Sequence, residues 1–244
     1  MTRSDARSSS APALDLEKVR FQWPGERGFR IDVDSFAVAR SERLLLLGES
    51  GAGKSTLLSL VCGVTVPQAG RIAVLGEDIA LMGTTARDRF RAEHFGIVFQ
   101  MFNLLPYASA LDNVLLPLGF AAKRRLRAAA ECSVAEEAGR LLFALGLDDE
   151  MARQGMASEL SIGQQQRVAA ARALIGAPEI VIADEPTSAL DARTQEKFLD
   201  LLFGQLGETG STLVMVSHDE RLAARFDRVV RIEDFARVSG ERAA

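Results

Sequence analysis

The chain is 244 residues long, 48% apolar and 25% charged, with a net charge of -4, enough for one large core or two small ones at roughly 150 residues per domain. A pI near 5.4 gives no electrostatic footprint for a nucleic-acid partner, and no run approaches the ~18 to 20 apolar residues of a membrane-spanning helix. Two cysteines, Cys62 and Cys132, match no metal spacing or disulfide framework and suit a reducing compartment.

Residues 1–13, with Ser8-Ser9-Ser10-Ala11-Pro12, read as a mobile tail, as do residues 239–244. Leu14 to Trp23 alternates apolar and polar residues like a half-exposed strand, Pro24-Gly25 ends it, and Phe36 to Val38 resumes the pattern. Together they predict a small antiparallel sheet. At the end of the first strand, the aromatic face of Trp23 suits either packing in that sheet or stacking on a flat ring such as adenine.

Leu44 to Leu47 reads as a strand buried on both faces, and it gives way to Gly48-Glu49-Ser50-Gly51-Ala52-Gly53-Lys54-Ser55-Thr56. This meets the G-x-x-x-x-G-K-[ST] spacing of a phosphate loop in full, with strand, loop and helix in the required order. The glycines permit positive φ and close backbone approach, Lys54 supplies a point charge for β- and γ-phosphates, and Ser55 supplies a hydroxyl for Mg²⁺. The helix from Lys54 carries Leu57, Leu58, Leu60 and Val61 and stops at Gly63, with Cys62 as a small core hydrophobe.

Arg71 to Leu75 reads as a short strand, Gly76-Glu77-Asp78 as a turn, and Thr84 to Phe90 as an exposed helix or loop. Phe95 to Phe99 is a further buried strand that delivers Gln100. A neutral amide there can ligate Mg²⁺ or orient water, or simply close a strand-end hydrogen bond. Leu111 to Leu145 turns helical, with Val134, Ala138, Leu141, Leu142 and Leu145 on one face and Gly146 as the stop. Within it, Lys123 to Arg127 reads as a solvated basic face.

Ser161 can cap the Ala-rich helix that follows, and its free N–H groups suit a second phosphate. Glu179 to Ala183 is a buried strand with Asp184-Glu185 at its carboxyl end, where open α/β sheets place ligands. Asp184 can reach a Mg²⁺ shell while Glu185 polarises an attacking water. Asp191 caps the next helix, and Thr212 to Val216 forms another strand ending at His218, a neutral ring suited to contact a γ-phosphate. His94 has no such context and reads as surface, and Val229 to Ile232 reads as a last strand.

Taken together, the phosphate loop, Gln100, Leu160 to Gln164, Asp184-Glu185, Ser188 to Asp191 and His218 occur in the order found in ATP-binding cassette transporter subunits, which the chain resembles over 14–238. The resemblance implies a P-loop NTPase core, a mostly parallel sheet flanked by helices, with an antiparallel β-subdomain and an α-helical subdomain near 108–163. It implies ATP and Mg²⁺ as ligands. Two copies would pair head to tail, each ATP lying between one phosphate loop and the partner's signature. By position, residues 48–56 hold the nucleotide and Trp23 matches the adenine-stacking aromatic. Gln100 matches the lid glutamine, Ser161, Gly163 and Gln164 the signature, Asp184 the magnesium-shell acid, Glu185 the general base, Asp191 the interface turn and His218 the switch.

The signature departs from the family at Ile162, where glycine is usual. Residues Val98 to Pro106 and Asp112 to Leu118 look most like the MacB, LolD and FtsE group. That likeness implies an ATPase peripheral to the cytoplasmic face of the inner membrane, driving separate integral permease subunits. The alternative is an FtsE-like ATPase that transmits force to a membrane partner without moving cargo. No nucleic-acid partner is expected.

Overall fold

The computed structural model describes residues 11–24, 28–49, 51–147, 153–188 and 190–240. Ser50, the Gly25 turn, Ala189 and the tails at 1–10 and 241–244 lie outside them. Among the described residues, five parallel strands form the central sheet: β3 (Arg43–Leu47), β6 (Phe95–Val98), β7 (Ile180–Asp184), β8 (Thr212–Ser217) and β9 (Arg228–Arg231), in the order β6-β7-β8-β3-β9. Alternation along each inner strand divides the core. Leu45, Leu47, Val181, Ala183, Leu213 and Met215 face one apolar cluster, while Leu44, Leu46, Ile180, Ile182, Val214 and Val216 face the other. A strand buried on both faces must be apolar at every position, and this is why these segments read as unbroken hydrophobic runs.

The second cluster is covered by an antiparallel sheet of β1 (Leu14–Gln22), β2 (Arg30–Val38), β4 (Ala69–Val74), β5 (Glu77–Asp78) and β10 (Ala236–Ser239), in the order β10-β2-β1-β4-β5. Two of these strands differ from expectation. Glu77 and Asp78 pair with Val74 and Ala73 rather than forming only a turn, and β10 pairs with β2 where a tail was expected at its last residue.

α1 (Lys54–Val61), which follows β3, fills the second cluster with Leu57, Leu58, Leu60 and Val61, and α2 (Thr84–His94), which precedes β6, lays Phe90 against it. The first cluster is covered by helices: α3 (Ala110–Leu115), α4 (Ala122–Ala128) and α5 (Val134–Ala144) precede α6 (Ile162–Leu174), and α7 (Ala192–Thr209) follows β7. The segment read as one helical stretch breaks after α3 into a 3₁₀ turn over Leu116–Gly119, where Pro117 supplies no backbone donor. α6 lies directly on β6, because Gly96 has no side chain and a Cβ there would overlap the Ala173 carbonyl oxygen.

Two polar side chains, Arg124 and His94, are more buried than the sequence implies. Arg124, in the basic cluster read as solvated, is 2% exposed. Its guanidinium donates to the carbonyls of Ile175 (2.6 and 2.9 Å), Phe95 (2.8 Å) and Ala173 (2.9 Å), tying α4 to the end of α6 and the start of β6. Burial pushes its pKa down to about 10, so it remains charged at neutral pH. His94, read as surface, is half-buried, with its Nδ1 3.1 Å from Glu179 and its ring 4.4 Å from that of Phe90. The apolar reading of Cys62 holds: the thiol is buried and its pKa is pushed up to about 12 by desolvation.

Candidate nucleotide site

The carboxyl ends of β3, β6, β7 and β8 open on one cavity of about 630 Å³. Its lining brings together Glu49, Gly51, Gly53, Lys54, Ser55 and Thr56 with Gln100, Asp184, Glu185 and His218. These residues are far apart in the sequence, and the parallel order of the strands places them together. Gly53 is the N-cap of α1 at φ 89°, a left-handed conformation that favours glycine. The first turn of α1 therefore points its free N–H groups into the cavity.

Lys54 is buried, and its ammonium donates to the carbonyls of Gly48 (2.6 Å) and Glu49 (2.8 Å), curling back over the loop. Asp184 closes β7. Burial, and next the neighbouring Glu185 charge, raise its pKa above the ordinary carboxylate value, while Lys54 opposes the rise. Glu185 sits at φ 45° with its N–H bonded to the Val216 carbonyl at 3.0 Å, so an uncommon backbone conformation aims its side chain across the strand ends. His218 Nδ1 lies 3.2 Å from Glu185 Oε2, and with the ring proton on Nδ1 the histidine donates to the carboxylate.

The donor set suits Mg²⁺, which takes oxygen ligands from one or two carboxylates, phosphate and water. Ser55, Gln100 and Asp184 offer a hydroxyl, an amide oxygen and a carboxylate to the same cavity. Burial and then the neighbouring Glu185 disfavour the Asp184 carboxylate, and a cation held by Ser55, Gln100 and Asp184 would offset both.

The other predicted residues lie elsewhere. Trp23 is outside the cavity lining; its edge meets Phe21, and its indole N–H donates to Thr56 Oγ1 at 3.2 Å. Phe29 lines the cavity instead, a residue not singled out from sequence. Its only signal was a lone apolar residue between a glycine turn and β2. Ser161, Gly163 and Gln164 open α6 away from the cavity. There Gln164 N–H donates to Ser161 Oγ (3.3 Å) and Ser161 N–H to Gln164 Oε1 (2.9 Å), a capping box. Ile162 beside them is 56% exposed. Asp191 caps α7, accepting from the Thr194 N–H at 3.0 Å.

The family model for ABC transporters matches residues 31–188. The chain is 44% identical over 195 residues to the uncharacterised ABC transporter ATP-binding protein YbbA of Escherichia coli K12, covering 80% of this chain and 82% of YbbA. It is 39% identical over 198 residues to the lipoprotein-releasing system ATP-binding protein LolD of Porphyromonas gingivalis, covering 81% and 87% of the two chains. The ATP-binding cassette MJ0796, solved as a dimer in a post-hydrolysis state bound to ADP and Pi, superposes with a TM-score of 0.73 at 32% identity, covering 95% of this chain and 100% of that one. The chain belongs to the ABC transporter family, as an ATP-binding cassette of the group that includes LolD.

Proposed function

We propose that this chain hydrolyses ATP with Mg²⁺ in a head-to-tail pair of identical copies, and that the pair drives a separate membrane permease of the MacB or LolCDE type from the cytoplasmic face of the inner membrane. One observation carries the reading. Phosphate loop, Gln100, Asp184, Glu185 and His218 share a cavity, while the second anion-seeking helix start, Ser161 to Gln164, faces outward from the same molecule. A second copy, placed head to tail, would bring the two together on one nucleotide. The dimeric state of MJ0796 supports this arrangement.

Phosphoryl transfer asks the protein mainly to position groups and to offset charge. Backbone N–H groups of residues 51–54 and the Lys54 ammonium hold the phosphates, with Ser55 and Asp184 beside them. Mg²⁺, when bound, neutralises charge on the phosphate oxygens. Glu185 accepts a proton from the attacking water, and His218, already hydrogen-bonded to Glu185, orients that carboxylate and meets the γ-phosphate edge. Trp23 buttresses the loop through its hydrogen bond to Thr56, and Phe29 is the aromatic side chain that lines the cavity.

Among the described residues no helix is long and apolar enough to cross a membrane. A groove of about 590 Å³ beside the Gln100 loop, with Phe99 at 41% and Phe120 at 73% exposure, suits an apolar cytoplasmic segment of the permease. Phosphate release from MgATP tests the hydrolytic assignment. Glu185→Gln should lower kcat by about 10² to 10⁴-fold, the usual worth of a general base. Unaltered turnover in that variant would overturn the role given to Glu185.

A further inference from the structure

The loop after Gln100 is held in an uncommon shape. Phe102 and Asn103 both have positive φ, 58° and 49°, and neither is glycine. Asparagine tolerates this region, whereas phenylalanine seldom enters it. The double turn directs the carbonyls of both residues to one side, where a single guanidinium receives them. Arg172 Nη1 donates to the Asn103 carbonyl at 2.7 Å and Nη2 donates to the Phe102 carbonyl. Arg172 is 8% exposed, and burial lowers its pKa. Its side chain is thus committed to the backbone of this loop.

Arg172 belongs to α6, the helix that starts at Ser161. From the same helix Gln166 Nε2 donates to the Pro186 carbonyl at 2.7 Å, one residue beyond Glu185. Its far end is fixed by Arg124, which donates to the Ala173 carbonyl. One rigid helix therefore grips the loop after Gln100 and the loop after Glu185.

We propose that Arg172 is a positioning residue for ATP hydrolysis. It locks the Phe102–Asn103 turn and so sets where Gln100 stands in the cavity relative to Glu185. This rests on the hydrolytic reading above. A planar fork with two parallel N–H groups can hold two carbonyls at once; a lysine ammonium keeps the charge and much of the stem but lacks that plane.

The test compares Arg172→Lys, Gln100→Ala and their double variant in the full chain. It measures phosphate release at saturating MgATP, ATP affinity by titration calorimetry, and the thermal unfolding midpoint. Arg172→Lys should lower kcat about 10-fold or more with ATP affinity changed less than about 2-fold, and the double variant should be no slower than Gln100→Ala alone, because both act on one step. Asn103→Ala, at an exposed position, provides a second route if Arg172→Lys unfolds. It strains the turn from the carbonyl side while leaving Arg172 itself in place, and should lower kcat a few-fold, again with no added effect on Gln100→Ala. Multiplying losses in the double variants, wild-type kcat in Arg172→Lys, or a loss of ATP affinity that accounts for the rate would overturn the proposal. A chain whose wild-type form releases phosphate while Gln100→Ala is unimpaired would overturn it too and leave the hydrolytic reading standing. A wild-type chain without turnover would overturn both.

Discussion

The nucleotide cavity and the start of α6 both open at a helix N-terminus, the kind of place that suits an anion, yet they are built differently. The cavity is assembled from the ends of buried parallel strands. Its charged groups are in tension, with Asp184 raised in pKa by burial and by Glu185, and Lys54 curled onto its own loop. The start of α6 is exposed and self-satisfied, its first donors shared between Ser161 and Gln164, with the apolar Ile162 facing solvent. In the proposed function the first region takes the phosphates. The second satisfies its own first donors, so an anion binding there would have to displace a capping hydrogen bond worth about 1 kcal/mol. Such a surface suits recognition after the nucleotide is already bound elsewhere.

The comparison breaks most severely if the anchor of α6 is removed. Arg124→Leu would strand buried carbonyls of Ile175, Ala173 and Phe95, each costing about 1 to 3 kcal/mol. A stability loss of about 3 kcal/mol or more is expected, read as a lower urea midpoint with an unchanged slope. Next in size, Lys54→Ala should weaken ATP binding by roughly 10 to 100-fold, the worth of one charge-assisted contact of about 1.5 to 3 kcal/mol. Calorimetric titration measures it, with the unfolding midpoint recorded alongside because the buried Lys54 ammonium also holds the Gly48 and Glu49 carbonyls. The smallest effect falls on the second region. Ile162→Gly removes an exposed apolar group from the first position of α6 and should raise the basal ATPase rate of the isolated protein by roughly threefold, less than 1.4 kcal/mol of barrier. An unchanged rate would show that Ile162 does not slow closure.

Much of the fold was legible because the central sheet is covered on both sides. Leu44 to Leu47, Ile180 to Ala183 and Leu213 to Val216 had to be apolar throughout, and Gly53-Lys54-Ser55 marks the turn into α1. The capping roles of Ser161 and Asp191 were likewise local and readable. Features made by tertiary pairing were hidden. β5 and β10 are two and four residues long and exist only because β4 and β2 offer edges. Arg124 sits in a run of bases that ordinarily face water, and the carbonyls that bury it come from α2, β6 and the end of α6, segments no spacing rule connects. Phe29 and Arg172 escaped notice for the same reason, since neither lies in a motif and each acts through a partner distant in the chain. His94 looked solitary because its carboxylate, Glu179, is supplied by the segment before β7.

With two unlike half-sites on each molecule, as proposed, bound nucleotide drives two copies to pair. Sedimentation velocity of the Glu185→Gln variant, with and without MgATP, tests it most directly. A monomer without nucleotide and a dimer with MgATP, reverting when Lys54→Ala is added, is the predicted result. The same sedimentation coefficient with and without MgATP, at concentrations where calorimetry shows the nucleotide bound, would contradict it.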